Sequence, residues 1–186
     1  MNTPNKLTLI RVILVPVFMW AFIKGFDIAA IVVFVIAALT DQLDGHLARK
    51  NNQVTTFGKL MDPIADKVLT IAALVCFVEA DADFVNSWVV MLVIARELIV
   101  TGIRLIALGE NQVIAASGFG KAKTVSQMVS TILIMLLMAV NSTGILPETF
   151  PLNVISQVLL WITAVLAVIS GVIYIKDGVK QIDFSK

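Results

Sequence analysis

The chain has 186 residues, of which 59% are hydrophobic, and its mean hydropathy is +0.95. A soluble domain has an apolar share of roughly half or less, so this composition excludes an ordinary soluble protein. The formal net charge of +1 is uninformative by itself. We expect no nucleic-acid partner. Cys76 is the only cysteine, which excludes an internal disulfide. We predict one integral membrane domain over residues 1–186.

Six apolar stretches follow one another along the chain and predict an all-α membrane protein. A membrane-spanning helix needs about 20 residues, and only helices or closed barrels satisfy their backbone in lipid. An apolar run at about 12–23 completes the first predicted span, and the others cover about 28–44, 55–79, 84–108, 121–141 and 152–175. A short amphipathic segment that begins at Thr3 and Pro4 precedes them. The fold class is therefore a bundle of six transmembrane helices.

The distribution of basic residues predicts the orientation of this bundle. Cytoplasmic loops carry an excess of Lys and Arg. The termini and two of the loops hold Lys6, Arg11, Arg49, Lys50, Lys59, Arg104, Lys121, Lys123, Lys176, Lys180 and Lys186. The opposite loops hold only Lys24 as a basic residue. Both termini are therefore expected to face the cytoplasm.

Four aspartates, Asp41, Asp44, Asp62 and Asp66, are concentrated between the second and third predicted spans, and we call residues 41–66 the aspartate motif. On a helix, positions three and four apart share a face, so these carboxylates would repel one another strongly in a low dielectric. A bound cation removes that conflict, and hard carboxylate oxygens suit Mg²⁺ or Mn²⁺. Helix capping or ion pairing with nearby Lys and Arg is the alternative, although ionisable residues beside membrane segments are usually functional.

A second group of charges begins with Arg96, inside the fourth predicted span, where a charge should be paired or functional. The neighbouring Glu97 is expected to point elsewhere. Arg104 lies eight positions further on roughly the same face, and Lys121 and Lys123 lie on the same side of the membrane. Arg96, Arg104, Lys121 and Lys123 form what we call the cationic cluster, which is suited to a phosphate group. Plain positive-inside bias is the alternative explanation.

A cation site and cationic side chains on one membrane face predict chemistry on phosphates or phospholipids, without defining the reaction. The aspartate motif reads Asp-x-x-Asp-Gly-x-x-Ala-Arg, eight residues, then Gly-x-x-x-Asp-x-x-x-Asp. This pattern resembles the signature of the CDP-alcohol phosphotransferase family, with every fixed position filled. The resemblance implies a metal site at Asp41, Asp44, Asp62 and Asp66, with Asp66 also acting as general base. It implies binding of the CDP-linked lipid by Gly45, Ala48, Arg49, Gly58 and Lys59.

Further stretches resemble the bacterial branch of this family that forms phosphatidylglycerophosphate. They are Pro-Asn-x-Leu-Thr-x-x-Arg near the amino terminus, Ala-Arg-Glu at 95–97, Thr-Gly-Ile-Arg at 101–104 and Gly-Lys-x-Lys-Thr at 120–124. The resemblance implies CDP-diacylglycerol as donor, with Asn5 and Thr8 beside it. It implies glycerol 3-phosphate as acceptor, bound by the cationic cluster. It also implies a homodimer in the bacterial cytoplasmic membrane, with the active site facing the cytoplasm.

Two other functions are compatible with parts of the pattern. A sister enzyme of the same family would use inositol phosphate, serine or phosphatidylglycerol as acceptor. A divalent-cation transporter would also need intramembrane aspartates, but transporters place them near the midplane between repeats, and here they lie at one edge. Thr163, Ala167 and Gly171 form a weak stripe of small residues, which does not define an oligomeric state.

Overall fold

The computed structural model describes the backbone of residues 3–50, 56–80, 85–109, 118–147 and 149–179. Within these ranges, the side chains of residues 3–7, 41–50, 56–63, 66, 108 and 177–179 lie outside the described part. The helices are α1 (Thr3–Ile23), α2 (Asp27–Lys50), α3 (Thr56–Ala80), α4 (Ser87–Gly109), α5 (Gly118–Ser142) and α6 (Leu152–Val179). No strand occurs in the described ranges. The all-α prediction is confirmed, and one helix occupies each predicted apolar stretch.

Two helices of the described part are long and apolar enough to cross a membrane, namely α5 and the segment Leu152–Lys176 of α6. The apolar stretches Thr8–Ile23 in α1 and Asp27–Thr40 in α2 are shorter. The apolar sequence of α4 is interrupted by three charged residues, Arg96, Glu97 and Arg104. The structure therefore supports a helical membrane protein, and the full set of six spans stays a prediction.

The chain divides into two compact units. Helices α1 to α3 form the first together with the second half of α5, from Ile132 onward. The first half of α5 forms the second unit together with α4 and α6. The prediction of a single domain over the whole chain stays a prediction.

In the first unit, α1 packs against both α2 and α3, and aromatic side chains fill the contact. Phe18 lies 5.6 Å from Phe34 of α2, between ring centroids, and Phe22 lies 5.8 Å from Phe77 of α3. Phe18, Phe34 and Phe77 are completely buried. Tilted aromatic pairs at this separation add specific attraction to the burial of apolar surface, so α1 forms the centre of this unit.

The turn between α1 and α2 is a Schellman motif, which reverses the chain within three residues. Phe26 donates its backbone N–H to the carbonyl of Ala21, and Gly25 donates to the carbonyl of Phe22. Gly25 has a φ of 72°, the left-handed conformation that this motif requires and that glycine adopts without a steric penalty. Because the connection is so short, α1 and α2 are antiparallel neighbours.

In the second unit, contacts between side chains define the directions of three helices. Arg96 of α4 contacts Ala167 and Ser170 of α6, and the following turns of α4 pack against Tyr174. Helices α4 and α6 therefore run in the same direction. Ser130 of α5 bonds to the earlier part of α6, near residues 159–163, while the start of α5 contacts α4. Helix α5 is therefore antiparallel to both.

Candidate active site

The two halves of the aspartate motif lie on two helices, the first at the carboxyl end of α2 and the second in the amino-terminal half of α3. The residues predicted there are Asp41, Asp44, Gly45, Ala48, Arg49, Gly58, Lys59, Asp62 and Asp66. Their side chains lie outside the described part. Among the side chains that are described, no group of three His, Cys, Asp or Glu lies close enough to hold a metal ion. The prediction that Asp41 and Asp44 belong to a helix is confirmed, and the metal site stays a prediction.

The helix directions bring both halves of the motif to one end of the first unit. Helix α2 runs antiparallel to α1 because of the Schellman turn. Helix α3 runs parallel to α1, because Phe22 and Phe77, each near the end of its helix, are in contact. The end of α2 and the start of α3 therefore lie at the same end of the unit as the start of α1. The four aspartate positions thus share one end of a helical unit.

Two polar residues of α1 are buried near this same end. Thr8 is 2% exposed and Arg11 is completely buried. Asn5 also lies on α1, with its side chain outside the described part. Burying a charged group costs free energy unless it is compensated, so this end of α1 differs from an ordinary apolar span. The role of Asn5 and Thr8 in donor binding stays a prediction.

Arg96, in the middle of α4, is oriented by α6. Its Nε donates to the carbonyl oxygen of Ala167 at 3.3 Å, and its Nη2 donates to Oγ of Ser170 at 2.8 Å. Gly171 leaves the space for this arrangement, because a Cβ at that position would lie 3.0 Å from Cγ of Arg96. Helix α6 therefore fixes the direction of this guanidinium group through a carbonyl, a hydroxyl and the lack of a side chain.

A buried carboxylate joins two members of the cationic cluster. Oε1 of Glu97 accepts from Nη1 of Arg96 at 2.8 Å and also accepts from Nζ of Lys123. Lys123 donates to Oε1 of Gln127 as well, and Glu97, Lys123 and Gln127 are all buried. The expectation that Glu97 points away from Arg96 was wrong. The long arginine side chain reaches back to the adjacent carboxylate while its other donors contact α6.

The other two members of the cationic cluster, Arg104 and Lys121, are exposed. Arg104 lies two turns beyond Arg96 on α4, and its guanidinium group interacts with the hydroxyl group of Tyr174 on α6. Lys121 lies in the first turn of α5. The structure thus brings Arg96 and Lys123 together in a buried network and leaves Arg104 and Lys121 accessible. Phosphate binding by these four residues stays a prediction.

The contribution of α6 was missed from the sequence. Ser170, Gly171 and Tyr174 carry no local signature of a site. The only sequence feature that pointed to α6 was its stripe of small residues. In the structure, this stripe contacts side chains of α4 and α5. Thr163 donates to Oγ of Ser130 on α5 at 3.2 Å, while Ala167 and Gly171 contact Arg96.

Comparison with known proteins places the chain in a family. The profile of the CDP-alcohol phosphatidyltransferase family matches residues 1–169, which include both the aspartate motif and the cationic cluster. The chain is 36% identical to the CDP-diacylglycerol–glycerol-3-phosphate 3-phosphatidyltransferase of Bacillus subtilis, with 91% of each chain covered. It is 35% identical to the protein of the same name from Rickettsia felis, with 94% of each chain covered. It is 44% identical to that of Escherichia coli K12, over 69% of this chain and 74% of that protein.

The chain belongs to the CDP-alcohol phosphatidyltransferase family. It is therefore an enzyme of phospholipid biosynthesis that transfers a phosphatidyl group.

We expect Glu97→Gln to destabilise the protein, because the buried Lys123 and the mostly buried Arg96 would lose their carboxylate. Removing one partner of a buried ion pair costs about 3–5 kcal/mol, so the thermal unfolding temperature in detergent should fall clearly. A double variant with Glu97→Gln and Lys123→Met removes both charges of the pair and should recover most of the loss. A single variant as stable as the parent protein, or a double variant less stable than the single one, would contradict this role of Glu97.

Proposed function

We propose that this chain transfers the phosphatidyl group of CDP-diacylglycerol to glycerol 3-phosphate, giving phosphatidylglycerophosphate and CMP. The observation that carries the proposal is the complete aspartate motif, distributed over two helix segments that lie at one end of a helical unit. The names of the relatives from three bacteria support the choice of both substrates.

The aspartate motif suits a divalent cation. We propose that Asp41, Asp44, Asp62 and Asp66 hold Mg²⁺ or Mn²⁺, since four carboxylates at one end of a unit form a hard-oxygen donor set. When bound, such a cation polarises the phosphoryl oxygens and neutralises the charge that develops on them.

Different residues of the motif would bind different parts of the donor. Arg49 and Lys59 bind the diphosphate as cations. Gly45, Ala48 and Gly58 carry little or no side chain and leave room for the cytidine, and Asn5 and Thr8 border the donor.

In the transfer step, the acceptor hydroxyl oxygen forms a bond to the phosphorus next to the diacylglycerol. The bond from that phosphorus to the bridging oxygen breaks, and CMP leaves with the electron pair. Asp66 accepts the proton of the hydroxyl as general base.

The cationic cluster favours an acceptor that carries a phosphate. Arg104 and Lys121 present exposed positive charge. Arg96 and Lys123 share the single charge of Glu97, which leaves this buried network with an excess of cations. Serine, which has no phosphate, would not need these charges, whereas the phosphate of glycerol 3-phosphate would bind them.

We further propose that all six helices span the bacterial cytoplasmic membrane, with both termini and the active site on the cytoplasmic side, and that the protein is a homodimer. The alternating directions of α4, α5 and α6 support consecutive spans, as does the antiparallel pair of α1 and α2. The bias of Lys and Arg toward one set of loops supports the orientation.

Single cysteines test this topology, in a Cys76→Ser background that removes the buried native thiol. Ala82→Cys lies in the predicted outer loop and should react with a membrane-impermeant thiol reagent on intact cells. Asn52→Cys lies in the predicted cytoplasmic loop and should react only after permeabilisation. Reaction of both cysteines from the same side would rule out the six-span arrangement.

A CMP-release assay on the purified protein tests the reaction. With CDP-diacylglycerol as donor, glycerol 3-phosphate should support turnover, and glycerol should be poorer by about tenfold or more, since hydrogen bonds to charged groups are strong. EDTA should stop turnover, and Mg²⁺ or Mn²⁺ should restore it. Faster turnover with inositol phosphate, serine or phosphatidylglycerol would identify a sister enzyme. Full activity in EDTA would refute the metal site.

Asp66→Asn tests the general base, because an amide cannot accept the proton. Positioned proton transfer contributes about 10²–10⁴-fold to a rate, so we expect a loss in this range at saturating Mg²⁺. Asp27→Asn is the matched control, since Asp27 lies at the other end of α2, where its Oδ2 accepts from Ser142. That variant should keep nearly full activity. Substantial turnover by Asp66→Asn would show that another group takes the proton.

A further inference from the structure

The hydroxyl group of Tyr174 is a buried polar group in α6 with no hydrogen-bond partner within the described structure. The residue is only 6% exposed. Buried hydroxyl groups nearly always have a partner, and an exception in a native structure calls for an explanation such as a bound ion or water.

The surroundings of this hydroxyl group are cationic. The Tyr174 side chain packs on α4 against Val100, Ile103 and Ala107. Positions 100, 104 and 107 share one face of a helix, so Arg104 lies on the face of α4 against which the tyrosine packs. The guanidinium group of Arg104 approaches the hydroxyl without the geometry of a full hydrogen bond.

The guanidinium group of Arg104 and the hydroxyl group of Tyr174 make a donor set. Arginine has donors and no acceptor, and a tyrosine hydroxyl has one donor. Arg96 already donates to Ala167, Ser170 and Glu97, whereas an anion beside Arg104 would satisfy the Tyr174 hydroxyl and pair with that guanidinium group. Phosphate oxygens are strong acceptors for such groups. Arg104 is exposed, so its guanidinium group is accessible to a ligand from water.

One face of α6 carries both side chains that contact the arginines of α4. Ser170, which fixes Arg96, and Tyr174, which meets Arg104, are four positions apart and lie on one face of α6. Arg96 and Arg104 lie eight positions apart on roughly one side of α4, which runs in the same direction. The family profile ends at residue 169, one residue before this part of α6 begins.

We infer that the hydroxyl group of Tyr174 donates a hydrogen bond to the phosphate of the acceptor substrate, beside Arg104. This inference rests on the proposed function and adds to it a substrate-binding residue that lies beyond the family profile. It makes α6 part of the site that selects a phosphorylated acceptor.

Tyr174→Phe removes the hydroxyl and keeps the ring that packs on α4. We expect the KM for glycerol 3-phosphate to rise about tenfold, as a lost hydrogen bond to a charged group would cause. The KM for CDP-diacylglycerol should stay within about twofold. Ser156→Ala is the matched control, since it also deletes a completely buried, unpartnered hydroxyl from α6, about three turns or more from the positions that the arginines contact. Its acceptor KM should equal that of the parent protein.

A binding measurement separates a ligand contact from a structural role. Glycerol 3-phosphate, and inorganic phosphate as a second probe, should raise the thermal unfolding temperature of the parent protein and of Ser156→Ala. Both probes should raise that of Tyr174→Phe much less. Without a probe, Tyr174→Phe should unfold at the temperature of the parent protein. The double variant with Arg104→Gln should show less than additive losses, because both groups contact one phosphate.

The outcomes separate this inference from the proposed function. If the parent protein releases no CMP with glycerol 3-phosphate, the proposed function fails. The probe titrations then decide whether Tyr174 binds a phosphate. If the parent protein is active and Tyr174→Phe has an unchanged acceptor KM and unchanged stabilisation, the inference is overturned and the hydroxyl binds only water. An equal rise in both substrate KM values would likewise overturn it, as a sign of a general structural role.

Discussion

One buried carboxylate, that of Glu97, makes the charged centre of the second unit possible. Arg96 and Lys123 lie in surroundings where an unpaired charge is costly, and without an anion they would repel each other. Glu97 contacts both. The three helices meet at this level because α4 supplies Arg96 and Glu97, α5 supplies Lys123, and α6 supplies the carbonyl and hydroxyl acceptors for Arg96. Electrostatic pairing therefore holds together the three helices of this unit.

The first unit is held together by different means. Its centre is a set of tilted phenylalanine rings from three helices, and a Schellman turn fixes the direction of α2 relative to α1. The polar exceptions, Thr8 and Arg11, lie at the end where the aspartate positions lie. Apolar packing along the unit thus leaves one end for charged residues, an arrangement that suits an enzyme working on a lipid with a polar headgroup.

The features that could be predicted from the sequence depend on residues close together in the chain. Apolar runs of sufficient length predicted the helices, and fixed spacing identified the aspartate motif before any contact was known. Sequence reasoning failed where partners come from distant parts of the chain. Arg96 and Ser170 are 74 positions apart, and no local pattern pairs α4 with α6. The error over Glu97 has a related cause, because helix periodicity describes where a side chain starts and not how far a long arginine reaches.

The close contact between Gly171 and Arg96 links the position of α6 to the charged residues of the second unit. The Cα of this glycine lies against the arginine side chain, where no room remains for even a methyl group without a shift. A sideways movement of α6 toward α4 must therefore displace Arg96, and Arg96 is bonded to the carboxylate that also contacts Lys123. One series of contacts therefore links the spacing of α4 and α6 to the positions of three charged groups, those of Arg96, Glu97 and Lys123.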